Sequence, residues 1–249
     1  SSGTVTGFSN QATPVAGPIA QTLTNTGNNA ATVTYPIMPL FTNGGITCTG
    51  APTIVVITVN PTPTATATPT VNLLCSGDAT SIAINSPQAG TIFTWTVSGA
   101  TGNVVGESAC ASNCGNLITQ TLSLAVGITT PQTITYTITP VGPAPSNCAG
   151  TPINVDVTIN PVPDATATPV NSSVCSGVAT NIALSSSVAG TLFTWTASGS
   201  NGNLSGFSNQ ITPVAGPISQ VLTNSGTSSA TVTYVITPVF TNGAATCTG

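Results

Sequence analysis

Residues 89–98 read AGTIFTWTVS, and residues 189–198 read AGTLFTWTAS. In both segments apolar residues alternate with threonine, which is the period-2 pattern of a strand with one buried face. Residues 132–139 and 152–159 show the same alternation. Threonine accounts for 48 of the 249 residues, and its β-branched side chain fits a pleated surface. The sequence therefore predicts an all-β protein.

Strand signals recur along the chain, separated by glycine, proline, asparagine and serine. No segment shows the 3.6-residue apolar period of a helix. Within residues 62–161 we predict strands at 64–69, 79–85, 91–98, 117–124, 132–139 and 152–159, with a further weak strand at 101–106. Six or seven short strands in about 100 residues favour a Greek-key β-sandwich.

The sequence repeats itself with a period close to 100 residues. CSGDATSIAI, which begins at Cys75, recurs as CSGVATNIAL from Cys175, and 34 of residues 1–50 are identical to residues 200–249. We therefore predict three units: 1–61 is the C-terminal part of an incomplete first repeat, 62–161 is a complete middle repeat, and 162–249 is a third repeat without its last strand. Because half-built sandwiches leave sheet edges open, we expect the sequence to be a window from a longer tandem array.

The segments that follow the last strand of each unit read NPTP at 60–63 and NPVP at 160–163. Proline fixes its own φ and cannot donate to a sheet. These segments are therefore expected to be short, stiff spacers between units.

The chain contains no lysine, arginine or histidine. The commonest general bases and the side chains that bind phosphate are therefore missing, so nucleic acid is not expected as a partner. Apolar runs such as residues 54–57 are far shorter than the roughly 18 residues that a membrane span requires, and no span is predicted in this segment.

The four carboxylates are Asp78, Glu107, Asp156 and Asp164. None of them recurs at the equivalent position of another unit, where valine, phenylalanine or threonine stands instead. A glycosidase needs two carboxylates across a cleft, and calcium needs six to eight oxygen ligands. We therefore predict no catalytic residues, no metal site and no cofactor.

The seven cysteines follow the repeat. Each complete unit has one cysteine near its start and one about 73 residues later, and the middle unit adds a CASNC insertion. The predicted disulfides are Cys75 with Cys148, Cys175 with Cys247, and Cys110 with Cys114. The partner of Cys48 is expected upstream of Ser1. No histidine or second CxxC completes a zinc site, and disulfides indicate an oxidising, extracytoplasmic setting.

The tryptophans and tyrosines lie in the strand patterns. Trp95 and Trp195 are predicted to pack in the sandwich core, although an exposed tryptophan would instead offer a stacking platform for a sugar. Tyr35, Tyr136 and Tyr234 lie in TVTY or TITY segments and are predicted to be tyrosine-corner or core residues.

The motifs CSGxAT, AGTxFTWTxSG, TVTYxITP, CxGxP and VxVTxNP together resemble the PKD-like, immunoglobulin-like repeats of giant surface proteins of Bacteroidota. Many members of that group are cell-surface adhesins or gliding-associated proteins exported by the type IX secretion system. The resemblance implies tandem Ig-like/PKD-like Greek-key sandwiches at the bacterial cell surface. The acidic WDFGDG-like segment of better-known PKD domains is absent, since TVSG follows Trp95.

These observations favour a structural segment of an extracellular adhesin stalk or surface filament. Its expected partners are further repeats of the same longer chain and, in a filament, identical chains. Two alternatives stay open: the repeats themselves bind surface glycans, or the chains assemble laterally into fibrils because their low charge gives little repulsion. A chain without lysine or arginine also offers trypsin no cleavage site.

Overall fold

The computed structural model describes residues 1–69, 71–112 and 114–249, and these residues form strands, turns and loops without any helix. The prediction of an all-β protein is confirmed. In the described residues there is consequently no helix long and apolar enough to cross a membrane.

The middle unit is an immunoglobulin-like sandwich of two main sheets. One sheet has the order β10-β14-β15-β8, the other has the order β12-β9-β7, and β11 pairs with β13. The strands are β7 (Thr66–Thr68), β8 (Val71–Cys75), β9 (Ile82–Asn85), β10 (Ile92–Gly99), β11 (Val104–Val105), β12 (Leu117–Ile118), β13 (Ser123–Leu124), β14 (Gln132–Val141) and β15 (Ile153–Asn160).

The core of this unit follows from the alternation in β14 and β15. Ile134, Tyr136 and Ile138 point inward from β14 and are fully buried, as are Val155, Val157 and Ile159 at alternate positions of β15. The threonines between them face outward, where Thr133 and Thr158 share a hydrogen bond of 2.8 Å across the two strands. One period-2 pattern therefore supplies both the packed core and the neutral, hydroxyl-rich outer face.

Two strand predictions for the middle unit need correction. The predicted strand 117–124 consists of two short strands, because β12 pairs with β9 in one sheet whereas β13 pairs with β11 in another. The strand β8 was not predicted at all. It pairs in parallel with β15, from Val71 opposite Asp156 to Cys75 opposite Asn160. Its sequence, VNLLC, carries no alternation, and its partner is more than 80 residues away.

The first unit contains two strands that match β14 and β15 of the middle unit, namely β3 and β6, which pair with each other alone. Its described residues hold no counterparts of β7 to β10. The inward face of β6 is therefore open, and Ile57 is 41% exposed. The strands are β1 (Val5–Thr6), β2 (Thr24–Asn25), β3 (Ala31–Ile37), β4 (Leu40–Asn43), β5 (Ile46–Thr49) and β6 (Thr53–Val59).

The third unit repeats the first part of the sandwich, and its longest strand continues into a hairpin. Its sheets have the orders β21-β19-β23-β24, β17-β22-β20 and β16-β18. The strands are β16 (Thr166–Thr168), β17 (Val178–Ala179), β18 (Ala183–Ser185), β19 (Leu192–Gly199), β20 (Leu204–Ser205), β21 (Gln210–Val214), β22 (Val221–Asn224), β23 (Val232–Asn242) and β24 (Ala245–Thr248).

Isoleucines at equivalent positions are buried in one unit and exposed in another, and substituting each of them gives a matched pair of variants. Ile138 is fully buried, whereas its counterpart Ile37 is 41% exposed. Ile138→Ala is expected to lower the free energy of unfolding of the middle unit by about 2–5 kcal/mol, because it leaves a cavity in a closed core. The measurement is urea unfolding followed by Trp95 fluorescence in a Trp195→Phe background.

Ile37→Ala is the control and should leave that unfolding transition within about 0.5 kcal/mol of the parent, as is usual for surface sites. Equal effects of the two substitutions would contradict the closed core of the middle unit.

Candidate functional site

A disulfide between Cys75 and Cys247 links the middle and third units in addition to the backbone, and the Cα atoms of the two cysteines are 5.6 Å apart. The predicted pairs Cys75–Cys148 and Cys175–Cys247 are therefore wrong. Cys48, Cys148 and Cys175 are free thiols in the described residues. The cysteines do recur with the period of the repeat, but the disulfide between Cys75 and Cys247 joins two successive units and does not close a single one.

The parallel pairing of β8 with β15 explains why the bond cannot close within the middle unit. Cys75 lies opposite Asn160, the last residue of β15, whereas Cys148 precedes Ile153, its first residue. The eight residues of β15 separate these two ends by about 25 Å. A disulfide requires Cα atoms within about 7 Å. Cys75 therefore faces the third unit, and Cys148 lies at the opposite end of the sandwich.

The third unit reaches Cys75 with the hairpin of β23 and β24. Cys247 in β24 is 1% exposed. Beside it, the Nδ2 of Asn242 donates to the Oδ1 of Asn160 at 2.7 Å, and the Nδ2 of Asn160 donates to the backbone oxygen of Leu74 at 3.1 Å. The fully buried Asn160 thus connects β8 to the hairpin of the next unit. We name this region, 73–75 with 160–163 and the hairpin 238–249, the second junction.

The junction between the first and middle units, formed by residues 60–63 and the turn 141–150, has a corresponding arrangement without the disulfide, and we name it the first junction. The Nδ2 of Asn60, the counterpart of Asn160, donates to the Oγ of Ser146 at 2.7 Å. Ser146 lies in the 141–149 turn, which corresponds to the β23–β24 hairpin and carries Cys148. A further contact comes from the Nε2 of Gln88, which donates to the Oδ1 of Asn28 at 3.1 Å.

The proline segments pack tightly against the hairpin of the next unit. Pro63 is buried, and so are its counterpart Pro163 and the neighbouring Pro161. A Cβ atom on Gly150 would lie 1.9 Å from the backbone oxygen of Pro63, and one on Gly249 would lie 1.8 Å from that of Pro163. Glycine is therefore required here for close backbone approach, and the linkers are parts of packed junctions.

A second disulfide joins Cys110 and Cys114 inside the middle unit, with Cα atoms 5.8 Å apart. Asn113, which belongs to the same CASNC insertion, lies outside the described residues. The backbone N–H groups of Trp95 and Cys110 each donate to the other residue's carbonyl at 2.9 Å. The insertion is thereby attached to the edge of β10.

The two tryptophans lie in the cores of their units. Trp95 is 7% exposed and Trp195 is 6% exposed, and both lie on the inward face of their strands. Their Nε1 atoms donate to the backbone oxygens of Ser108 and Ser208 at 3.1 and 3.2 Å. Neither ring offers a face for stacking against a sugar.

The tyrosines take part in a repeated network that the sequence pattern did not suggest. The hydroxyl of Tyr136 donates to the Oε1 of Gln120 at 2.7 Å, and the Nε2 of Gln120 donates to the backbone oxygen of Ser108 at 2.8 Å. Tyr35 with Gln21 and Tyr234 with Gln220 repeat this arrangement. Burial, with a smaller contribution from the nearby Glu107 carboxylate, raises the pKa of Tyr136 to about 12. The glutamines recur in all three units, and this recurrence is the sequence feature from which the network could have been predicted.

Three of the four carboxylates accept hydrogen bonds, each from a different part of the chain. Asp164 accepts hydrogen bonds from the hydroxyls of Ser186 and Ser187 and from the Ser187 backbone N–H, and these bonds lower the pKa of Asp164 to about 2. Asp78 accepts from the backbone N–H of Cys75 at 3.0 Å, and Asp156 accepts from the hydroxyl of Thr135 at 2.7 Å. Within residues 1–69, 71–112 and 114–249, no three His, Cys, Asp or Glu side chains are grouped as a metal site would require.

The family model of the PKD-like domain matches residues 1–63, 72–163 and 172–249. The chain belongs to the PKD-like domain family. No curated protein matches it. The three matched stretches leave out the short strands β7 and β16, which directly follow the proline linkers. PKD-like repeats with two disulfides fit an extracellular structural domain, because disulfides persist in oxidising compartments, and domains of this type are generally non-catalytic.

Disulfide mapping distinguishes the two pairings directly. The non-reduced chain, cut with pepsin because trypsin has no site, is expected to release a linked peptide pair that contains Cys75 and Cys247. Cys75→Ser and Cys247→Ser should each abolish that pair, whereas the control Cys175→Ser should preserve it. A linked pair that contains Cys75 and Cys148 would show that the bond closes within one unit.

Gly150→Ala tests the packing of the first junction. The added methyl group would meet the Pro63 carbonyl, so it is expected to cost about 1–3 kcal/mol of middle-unit stability through overpacking. The matched control is Gly50→Ala. A Cβ on Gly50 meets only the ring of Pro39, a contact to the equivalent proline that Gly150 also makes, but no linker carbonyl.

Urea unfolding followed by Trp95 fluorescence measures the effect, again in the Trp195→Phe background. If Gly150→Ala and Gly50→Ala are indistinguishable, the linker does not pack against the turn.

Proposed function

We propose that this chain is a structural segment of an extracellular fibre or adhesin stalk. The observation that carries the proposal is the disulfide between Cys75 and Cys247, which joins two successive units. A bond of this kind contributes little to the core of either unit. It fixes the orientation of one unit on the next, which is the property that a stalk needs.

The bond also changes how tension passes along the chain. Cys75 and Cys247 are 172 residues apart in the sequence but adjacent in space. A force applied to the two ends of the chain passes through the disulfide and bypasses the segment between them. The parts of the middle and third units that lie between the two cysteines are therefore shielded from direct tension for as long as the bond is intact.

The surface composition agrees with a passive spacer. The side chains carry four negative charges and no positive ones, so binding to charged partners and dependence on salt are both weak. The outer faces of β14 and β15 are covered by threonine, asparagine and one aspartate. The resemblance to Bacteroidota surface proteins supports a bacterial cell-surface location and export by the type IX system. Further repeats are the partners that these units fit best.

Force spectroscopy on the full chain tests the proposal. The oxidised chain is expected to extend less than the Cys247→Ser variant by roughly 60 nm, since 172 residues each add about 3.5 Å when extended. Cys175→Ser is the control and should behave like the parent. Equal contour lengths for the parent and Cys247→Ser would rule out a role for the bond in carrying tension.

Electron microscopy separates the stalk from lateral assembly into fibrils. Purified chains are expected to appear as single short strings of beads. Regular multi-chain filaments would favour the assembly alternative. Glycan binding by the repeats stays a separate alternative, and a glycan array probed with the full chain would detect it.

A further inference from the structure

The network of tyrosine, glutamine and serine holds a hydroxyl group against a side-chain amide in every unit. In the middle unit the Nε2 of Gln120 donates to the Oγ of Ser108 at 3.0 Å. The C–N bond adds about 1.33 Å, so the hydroxyl oxygen lies within about 4.3 Å of the amide carbon. A shift of about 1 Å reaches the distance of about 3–3.5 Å from which a nucleophile attacks, and groups held so close react as if highly concentrated.

The oxygen of the same amide accepts two hydrogen bonds. The hydroxyl of Tyr136 donates to the Oε1 of Gln120 at 2.7 Å, and the backbone N–H of Ser108 donates to it at 3.0 Å. Attack on the amide carbon would place a negative charge on this oxygen. Two fixed donors stabilise such an oxyanion, and the full burial of Tyr136 fixes the first of them.

The middle unit has a carboxylate at this network where the other units have an aromatic ring. Glu107 directly precedes Ser108, and its counterparts are Phe8 and Phe207. The charge of Glu107 contributes to the raised pKa of Tyr136, so the carboxylate lies near the network. Its Oε2 is buried and has no hydrogen-bond partner in the described part of the chain. Such an atom is rare in folded proteins and calls for an explanation, and a role in accepting a proton supplies one.

We propose that Ser108 and Gln120 form an intramolecular ester bond, with Glu107 as the base. A serine hydroxyl needs an adjacent base to become an effective nucleophile. The pairs Ser9 with Gln21 and Ser208 with Gln220 make the same contact, at 3.0 and 3.1 Å. These two pairs stay hydrogen-bonded, because phenylalanine stands where the base would be.

The reaction exchanges one amide for one ester. The Oγ of Ser108 attacks the amide carbon of Gln120, and the Glu107 carboxylate takes the hydroxyl proton. The C–N bond then breaks and its electron pair leaves with the nitrogen, which takes the proton back from Glu107 and departs as ammonia. The products are one ester bond and one ammonia. The carboxylate is regenerated, and no oxidant or reductant is consumed.

The ester would fasten the segment that covers the edge of β10. Residues 108–120 include the Cys110–Cys114 disulfide, and Cys110 exchanges two backbone hydrogen bonds with Trp95. An ester between Ser108 and Gln120 closes this segment at its base. The segment therefore stays closed when the disulfide is reduced, which gives the middle unit a fastening that does not depend on redox conditions.

Mass spectrometry of the full chain, reduced and alkylated before measurement, tests the proposal. The expected mass is lower than that of the sequence by one ammonia. A pepsin map is expected to contain a linked peptide pair with Ser108 and Gln120, which distinguishes the ester from ammonia lost by asparagine elsewhere. Mild alkali should separate the pair and leave a carboxylate in place of the Gln120 amide.

Variants assign the roles. Ser108→Ala should retain the ammonia, whereas the matched control Ser208→Ala should leave the mass deficit unchanged. Glu107→Phe introduces the residue that both other units carry, so the unit is expected to fold. It should form the ester about 100-fold more slowly or less, because it lacks the base.

A chain that keeps its full sequence mass would show that the network contains hydrogen bonds alone and would overturn the proposal. Equal ammonia loss at Ser9–Gln21 and Ser208–Gln220, or unchanged loss in Glu107→Phe, would also overturn it, since the carboxylate would then be unnecessary. The ester rests on this network and not on the stalk function, so either result leaves the force measurement on Cys247→Ser unaffected.

Discussion

The parallel pairing of β8 with β15 is the interaction on which the arrangement of the units depends. It completes the four-stranded sheet of the middle unit, and its register places Cys75 beside Asn160 at the end that faces the third unit. Without this pairing, the cysteine would have no fixed position relative to the next hairpin. The disulfide to Cys247, the amide contact between Asn160 and Asn242, and the approach of Gly249 to Pro163 all follow from that placement.

Because the chain has no basic residues, its side chains are linked by neutral hydrogen bonds where other proteins also use ion pairs. Tyr136, Gln120 and Ser108 form one such network, and the threonine pairs across β14 and β15 form another. Neutral bonds of this kind each contribute about 0.5–1.5 kcal/mol and do not weaken with salt as surface ion pairs do. A repeated protein with this chemistry keeps its structure over a wide range of ionic strength.

The fold could be predicted where apolar and polar residues alternate along a strand, and not elsewhere. The alternation in residues 91–98 and 132–139 fixed which side chains face the core, and Trp95 and Tyr136 are indeed buried. The prediction failed for the segment that ends at Cys75, because a parallel strand without alternation is stabilised by a partner more than 80 residues away. The disulfide pairing failed for the same reason. Sequence spacing relates equivalent cysteines of neighbouring repeats, but it does not say at which end of a sandwich each one lies.

The sequence by itself determined the all-β class, the repeat of about 100 residues and the lack of charged chemistry, since each of these is a property of composition or of local periodicity. Only the tertiary structure decided that Cys75 bonds to Cys247 and not to Cys148. The physical reason is the length of β15: its eight residues hold the two cysteines of one unit at opposite ends, about 25 Å apart, and bring the cysteines of successive units together.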